Sequence, residues 1–118
     1  MDPKNDEMQL IPKRIVDRLQ PLEEKDHLDM KKIKVPLKLF NPLGSETWYI
    51  FQYDQEKDLA YGLIDTGNHY EAELGYIDIG ELKNKELPLG LGIDRDINWD
   101  PEITLHKVIT TVKSGKHM

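Results

Sequence analysis

Residues 47–64 read Thr-Trp-Tyr-Ile-Phe-Gln-Tyr-Asp-Gln-Glu-Lys-Asp-Leu-Ala-Tyr-Gly-Leu-Ile, and their pattern predicts a β-hairpin at the centre of the fold. Large apolar side chains fall on both faces of a strand over 47–53, with Tyr49, Phe51 and Tyr53 on one face and Trp48 and Ile50 on the other. A strand that is apolar on both faces is typical of the centre of a sheet. The polar residues 54–58 have the length of a hairpin loop, and residues 59–64 are the return strand.

Two elements are predicted before this hairpin. Residues 12–20 are predicted to form a short amphipathic helix with Pro12 at its first position, where a missing N–H costs nothing. Residues 34–40 alternate as a strand, and Pro36 indicates that this strand lies at the edge of the sheet, since proline cannot donate a ladder hydrogen bond.

Two signals agree on the start of a helix after the hairpin. The short extended segment 74–77 leads to Asp78, a helix-capping residue, and Glu81 lies three positions on, as in a capping box. Ile77 and Leu82 have the spacing of the hydrophobic staple that accompanies such a cap. We therefore predict a short helix that begins directly after Asp78.

The end of the chain leaves two alternatives open. Asp100-Pro-Glu102 is typical of a helix start, whereas the β-branched residues within 103–112 fit a strand equally well. The predicted fold is α+β, a single small domain in which an antiparallel β-meander packs with short helices. This domain spans residues 10–113, with a disordered lead-in over 1–9 and a loose tail over 114–118.

Composition narrows the classes of function. The chain has 118 residues and no cysteine, which excludes disulfides, thiolate zinc sites and cysteine nucleophiles and fits a reducing cytoplasm. No apolar run is long enough to cross a membrane. The net charge is −6, and residues 46–82 hold nine acids against one lysine. Such a concentrated negative field attracts basic partners and argues against direct binding of nucleic acid.

The leading hypothesis is therefore a non-enzymatic protein that binds a basic surface of a host protein. The residues predicted to make this contact are the acids of the hairpin tip and the following loop: Asp54, Glu56, Asp58, Glu71 and Glu73. DNA mimicry is a sharper version of the same idea, and it requires acids near phosphate spacing. No cofactor and no metal are predicted.

Two alternatives from other classes stay open. A small metal-dependent enzyme would use His69 with Glu71 and Glu73, which share a face if they lie on a strand, or the carboxylates of Asp94 and Asp96. A nucleic-acid module would use the basic cluster of the chain, formed by Lys31, Lys32, Lys34 and Lys38.

Several short motifs carry a resemblance to a known family. They include Glu73-Leu-Gly-Tyr76 and Gly90-Leu-Gly-Ile-Asp-Arg-Asp96, and the residues that mark them are Trp48, Gly75, Tyr76, Gly90, Gly92, Asp94, Arg95 and Asp96. Over residues 10–100 the chain resembles the domain-of-unknown-function family numbered twenty-nine fifty-eight, with the first nine residues and the part after about 105 outside. Asp94 stands where the family usually has Glu, and Ile77 where it often has Phe.

The resemblance implies an accessory protein of plasmids, integrative elements or phages. Genes of this family tend to lie near anti-restriction genes, which implies a role in establishment in a new host or in evasion of host defences. It implies no reaction.

Overall fold

The computed structural model describes residues 6–23, 28–116 and Met118. In this part of the chain, one antiparallel sheet has the strand order β4-β3-β2-β1-β5. Its strands are β1 (Leu37–Phe40), β2 (Thr47–Asp54), β3 (Leu59–Asp65), β4 (Glu73–Asp78) and β5 (Asp94–Arg95). The α-helices of the same part are short: α1 (Lys13–Val16), α2 (Ile79–Lys83) and α3 (Leu105–Lys113). The predicted α+β class, with an antiparallel meander and short helices, is confirmed.

Strand β2 lies at the centre of the sheet, as its apolar faces predicted. Its register with β3 shifts between Ile50 and Gln52, so Phe51 is the extra residue of a β-bulge. Because the bulge reverses the alternation, Tyr53 packs with Ile50 on one face, whereas Tyr49 and Phe51 pack on the other. The prediction that Tyr49, Phe51 and Tyr53 share one face is therefore wrong for Tyr53.

Each face of the sheet is covered by helical segments. On the first face the buried residues of α1, its following turn and α2 are Ile15, Leu19, Ile79 and Leu82. On the second face those of α3 are Leu105, Val108 and Val112. Each such side chain contributes roughly 1.5–3 kcal/mol through burial. The sheet is therefore the middle layer of three, and this arrangement leaves the ends of the strands open for a site.

Two predictions about the first half of the chain are corrected. Strand β1 is not at the edge, because it pairs with β2 on one side and with β5 on the other. Pro36 is tolerated because it precedes the first ladder residue, Leu37. The helix predicted over 12–20 is a single turn, α1, with Pro12 at its cap, and the chain continues as a turn to Leu19.

The starts of α2 and α3 show which polar residues cap a helix. The Asp78 carboxylate accepts a hydrogen bond from the Glu81 backbone N–H at 3.0 Å, which confirms the predicted boundary. Of residues 101–113, which were left open between helix and strand, Leu105–Lys113 form helix α3. Its cap is Thr104, whose hydroxyl accepts from the Lys107 N–H at 3.1 Å, whereas Asp100 only closes the preceding turn.

Residues near both ends of the described chain contact the sheet. Of the lead-in predicted over 1–9, residues 1–5 lie outside the described part of the chain. Residues Asp6–Met8 form a 3₁₀ turn. In the tail predicted over 114–118, residue 117 lies outside the described part, and the Met118 carbonyl accepts a hydrogen bond from Lys38 Nζ at 2.7 Å. No helix in the described part is long and apolar enough to cross a membrane.

Candidate functional site

A cavity of about 770 Å³ opens at the end of the sheet where β1 turns into β2. Its walls come from the end of β1, the turn over 41–46, the loop that follows β3 and the segment 94–98. The volume lies within the range of small-ligand pockets, which is about 300–1,000 Å³. It brings together residues from four separate parts of the sequence.

The register of the sheet explains which side chains meet at this cavity. Thr47 pairs with Asp65 on one side and with Phe40 on the other, and Phe40 pairs in turn with Asp94. Directly paired residues of antiparallel strands point to the same face. One row of four side chains therefore crosses the sheet at its end. In the next row, Lys38 pairs with Tyr49.

Lys38 is buried at the base of the cavity, with 6% of its surface exposed. Its ammonium group donates to the Met118 carbonyl at 2.7 Å and lies 3.4 Å from the Asp96 carboxylate. The same group lies 5.5 Å from the centre of the Trp99 ring, a cation–π distance. These three partners compensate the charge of the lysine, as burial of an ammonium group requires.

His69 lies on the wall of the cavity and pairs with Asp65, which is buried behind it. Asp65 is fully buried, and its carboxylate accepts from the Gly67 N–H at 2.9 Å and contacts His69 Nδ1 at 2.5 Å. Gly67 has a φ of +117°, and a Cβ there would lie 2.4 Å from the Ser45 hydroxyl. The loop therefore requires glycine, and the buried carboxylate fixes the orientation of the imidazole ring.

Arg95 is directed to the opposite face of the sheet from Asp94 and Asp96. Its guanidinium donates to the carbonyls of Gln9 and Glu7, each at 3.0 Å, and so fastens the N-terminal segment. Asp94 accepts from the Arg95 backbone N–H at 2.8 Å, and both aspartates line the cavity. Neither aspartate side chain pairs with the guanidinium.

The Tyr49 hydroxyl is buried behind this cluster. The side chain has no exposed surface, and its oxygen lies next to the Met118 backbone and the Thr47 side chain. Burial, and then the negative charge of Asp65, raise the pKa of Tyr49 to about 12. The Met118 backbone and the Thr47 side chain act in the opposite direction and lower this pKa.

The acids predicted to bind a partner lie at opposite ends of the sheet. Asp54, Glu56 and Asp58 form the tip of the β2–β3 hairpin, whereas Glu71 and Glu73 lie where β4 begins, at the cavity end. The seven residues of β3 separate the two groups by roughly 20 Å. The structure therefore contains two acidic regions where the sequence predicted one.

Two further acids, Asp78 and Glu81, lie at the hairpin end of the sheet because α2 begins there. Asp78 pairs with Leu59 at the end of β4, and the Ile79 N–H donates to the Asp58 carbonyl at 3.0 Å. Glu81 follows on the first turn of this helix. Asp58 is partly neutralised by Lys83, whose Nζ lies 3.1 Å from its carboxylate, and the Asp58 carboxylate accepts from the Tyr53 hydroxyl.

The residues that carry the family motifs divide between the core, the sheet edge and the cavity. Trp48 packs against the core of the first face. Gly75 and Tyr76 lie on β4, where the Tyr76 ring meets the Tyr61 ring edge-on with 5.0 Å between centroids. Gly90 has a φ of +73° in a 3₁₀ turn, which explains the need for glycine there, and Gly92 follows it. Of the eight, Asp94, Arg95 and Asp96 line the cavity.

The metal-site alternative loses its geometric basis. His69 and Glu71 lie in a 3₁₀ turn and only Glu73 is on a strand, so the shared strand face assumed for the three is wrong. In the described part of the chain, no group of three His, Cys, Asp or Glu side chains is placed to hold a metal ion. Two of the four histidines, His27 and His117, lie outside the described residues.

The basic cluster does not form one patch. Lys38 is buried, Lys34 lies 3.7 Å from Glu102, and Lys32 lies 4.0 Å from Asp29. Each of these lysines therefore has an acidic neighbour, and the row of positive charges that the sequence indicated is partly compensated.

The sequence did not place Lys38, at the base of the cavity, or Asp65, buried behind its wall, at a common site. Lys38 alternates with Leu37 and Leu39, so its exposure was expected from the strand pattern. Asp65 had a local signal, because an aspartate at the end of a strand followed by Gly67 is typical of a carboxylate that caps a turn. The long-range pairing with Thr47 that buries it has no local signal.

The sequence pattern of one protein family matches residues 10–117, and that family is described as protein of unknown function (DUF2958). The match reaches beyond the predicted limit near residue 105, so helix α3 is part of the family domain. Neither the curated proteins nor the solved structures include a significant match to the chain.

Proposed function

The chain belongs to the DUF2958 family, and we propose that it is a non-enzymatic interaction protein that binds a basic surface of another protein. The binding surface is the acidic half of the sheet, formed by residues 46–82. The proposed setting is the cytoplasm of a bacterial host, where the chain would act as an accessory protein of a plasmid or phage. This setting rests on the family resemblance. The proposed target is a host defence or nucleic-acid-processing protein.

One observation carries the proposal. Residues 46–82 hold nine acids and one lysine, and they fold into the strands β2, β3 and β4, which form one half of the sheet, and into helix α2. Of these acids only Asp65 is buried. The other eight are exposed or half-buried, so their field reaches solvent on that side. The rest of the chain is nearly balanced in charge.

The physical consequence is attraction of cationic surfaces over distances of about a Debye length, which is about 8 Å at physiological salt. Complementary charge accelerates encounter and makes association sensitive to salt. The same field opposes the approach of nucleic acid. The two acidic ends of the sheet, at the hairpin tip and at the start of β4, lie roughly 20 Å apart, which a protein surface of ordinary interface size can span.

The test is capture of a partner from a bacterial lysate with the tagged chain, at low and at moderate salt. Reversal of charge is best placed at Glu56 and Glu81, both exposed, whose carboxylates make no hydrogen bond in the described structure. Asp54 and Asp58 are less suitable, because their carboxylates accept from the Lys57 N–H and the Tyr53 hydroxyl.

At the other end, Glu71 and Glu73 are exposed and suited to the same change. We expect Glu56→Lys with Glu81→Lys, or Glu71→Lys with Glu73→Lys, to abolish salt-sensitive capture while the protein stays folded. Glu86→Lys is the control, an exposed acid outside the acidic half, to be compared with the single change Glu56→Lys. Capture that survives both double reversals would overturn the proposal.

A further inference from the structure

We infer that the outer edge of strand β4 receives an extended, basic segment of the partner, which joins the sheet as a further strand. This inference rests on the proposed function and names the way in which the partner is held. Three observations lead to it: the open backbone edge of β4, the row of aromatic rings that ends there, and the acids at both ends of the strand. In this mode of recognition, main-chain hydrogen bonds supply affinity and the flanking side chains supply specificity.

Strand β4 has a neighbouring strand on one side only in the described part of the chain. It is the last strand in the order β4-β3-β2-β1-β5, and its six residues pair with β3 in an uninterrupted register. The strand contains no proline, no lysine and no bulge, which are devices by which natural sheets protect an edge. At the other end of the sheet, β5 has only two residues. The edge of β4 is therefore the better template for a strand of another chain.

The hydrogen-bond pattern determines which backbone groups of β4 point outward. The Ile79 N–H donates to the Asp58 carbonyl at 3.0 Å, so these two residues form a hydrogen-bonded pair one step beyond the strand. Such pairs alternate along an antiparallel ladder, so Ile77 bonds to β3, whereas the backbone groups of residues 74 and 76 are directed to the outer side. The backbone groups of Leu74 make no hydrogen bond to the described residues. An added strand can pair with both of them.

A row of aromatic side chains ends at the same edge. The rings of Phe51 and Tyr61 have 5.7 Å between their centroids, and those of Tyr61 and Tyr76 have 5.0 Å. The row crosses the sheet from β2 through β3 to β4, and 59% of the surface of its last member, Tyr76, is exposed. Cross-strand pairs of aromatic and β-branched side chains stabilise a sheet. We therefore expect the added strand to place an apolar or β-branched residue opposite Tyr76.

The charges of β4 favour a basic segment. Glu73 and Asp78 lie at the two ends of the strand, both are exposed, and neither is part of an ion pair with the described residues. They are five positions apart and so lie on opposite faces, which means that a complementary strand carries two bases with the same spacing.

A second copy of the chain does not fit this edge. Pairing of two β4 strands must match their outward residues, 74 and 76, with each other. This register brings Asp78 of each copy next to Glu73 of the other, and like charges at such positions destabilise the pair. The occupant is therefore a basic segment of a different protein.

The experiment uses a hexapeptide with this pattern, acetyl-Lys-Thr-Val-Thr-Val-Lys amide. In antiparallel orientation its lysines lie opposite Asp78 and Glu73, and its valines lie opposite Tyr76 and Leu74. Titration of the isotope-labelled full chain, followed by amide NMR shifts, reports both the affinity and the place of binding. We expect shifts centred on residues 73–77. The same peptide with glutamate in place of both lysines should bind at least about tenfold more weakly.

Two N-methylated forms of the peptide test whether it pairs as a strand. Methylation of its fifth residue removes the N–H that donates to the Leu74 carbonyl, whereas methylation of its fourth residue removes an N–H that points away from β4. We expect the first form to bind at least about tenfold more weakly than the parent peptide, and the second to bind like the parent. Equal binding of the two methylated forms would overturn the pairing.

The diagnostic variant of the chain is Leu74→Pro. It removes the outward N–H and leaves the bonds to β3 in place, because proline is tolerated on an edge strand where its nitrogen faces solvent. The matched control is Leu74→Ala, which loses the same half-buried side chain and keeps the N–H. We expect the proline variant to lose the peptide and the captured partner, and the alanine variant to keep both. If Leu74→Pro does not fold, the two methylated peptides test the same bond on the unchanged chain.

The outcomes separate this inference from the proposed function. Absence of shifts at about 1 mM peptide, or shifts confined to the cavity or the hairpin tip, would overturn β4 as the docking edge. Partner capture that is lost on reversal of the exposed acids but kept in folded Leu74→Pro would leave the proposed function standing and remove the strand addition. Peptide binding at β4 without any captured partner would support the docking edge and count against the proposed function.

Discussion

Replacement of Asp65 is the perturbation whose effect follows most directly from the structure. The buried carboxylate accepts from the Gly67 N–H at 2.9 Å and contacts His69 Nδ1 at 2.5 Å. Hydrogen bonds to a charged group contribute roughly 1.5–3 kcal/mol each. Asp65→Ala leaves both donors without their partner, so we expect a loss of about 3–5 kcal/mol in the free energy of unfolding. For a chain of this length that corresponds to a fall in Tm of roughly 12–20 °C.

A conservative change should cost less. Asp65→Asn retains an oxygen for the Gly67 N–H but directs an amide donor at His69, which must then change its tautomer to accept. We expect a loss of about 1–2 kcal/mol. The assay is urea unfolding followed by the fluorescence of Trp48 and Trp99, with the midpoint and slope measured for each variant.

The control lies in the same loop. Glu71 is exposed, so Glu71→Ala should change the free energy of unfolding by no more than about 0.5 kcal/mol. The reasoning would be refuted if Asp65→Ala cost less than about 1 kcal/mol. It would also fail if a double-mutant cycle of Asp65→Ala with His69→Gln showed no coupling, because the two side chains would then not act as a pair.

Three further predictions concern packing, capping and pH. A Cβ at Gly62 would lie 2.0 Å from the Tyr49 carbonyl oxygen, so we expect Gly62→Ala to prevent folding, as measured by circular dichroism. The control is Gly75→Ala, which should fold because the nearest atom to its Cβ is the tip of the Ile64 side chain at 3.1 Å. Thr104→Ala removes the acceptor of the Lys107 N–H at the start of α3 and should cost about 1 kcal/mol in urea unfolding, with Thr104→Ser close to wild type. The pKa of Tyr49 is raised to about 12 in the folded chain, above its unfolded value of 10, so stability is fully present below pH 10 and falls as pH rises towards 12. The loss of free energy of unfolding over this range should be smaller by about 3 kcal/mol in Tyr49→Phe, and Tyr53, whose pKa is also raised by burial and by Asp58, gives the remaining slope in both proteins. An unchanged slope would contradict the assignment to Tyr49.

The elements predicted correctly from the sequence are those with local signals. Strand β2 was placed at the centre because both of its faces are apolar, and α2 was placed because Asp78 and Glu81 form a cap within one turn. Each of these signals lies within about ten residues, and tertiary packing did not oppose it.

The features that were missed depend on distant parts of the chain. The bulge at Phe51 changes the face of Tyr53, and nothing in the alternation of 47–53 marks it. The register of β3 with β4 separates Glu71 and Glu73 from the hairpin acids, although the sequence places all of them within twenty residues. The β-branched residues of α3 fitted a strand as well as a helix, so its secondary structure could not be predicted from the sequence. The segment forms a helix, and Val108 and Val112 are buried on the side that faces the sheet.

In the candidate site, too, the residues with a local sequence signal were predicted and those that depend on distant contacts were not. Asp94 and Asp96 were identified from a motif, and both line the cavity. Lys38 was taken for part of a basic patch, because its burial depends on Met118 and Asp96, which lie far along the chain. A strand pattern gives the face on which a side chain lies, and the later packing of other segments determines whether that face is open.

The most direct test of the central claim, that the acidic half of the sheet is the binding surface, is hydrogen–deuterium exchange of the chain with and without its captured partner. Slower amide exchange on binding marks the segments that the partner covers or orders. We expect slower exchange within residues 46–82, with α1 and α3 unchanged. Slower exchange confined to α1 or α3, with the acidic half unaffected, would contradict it.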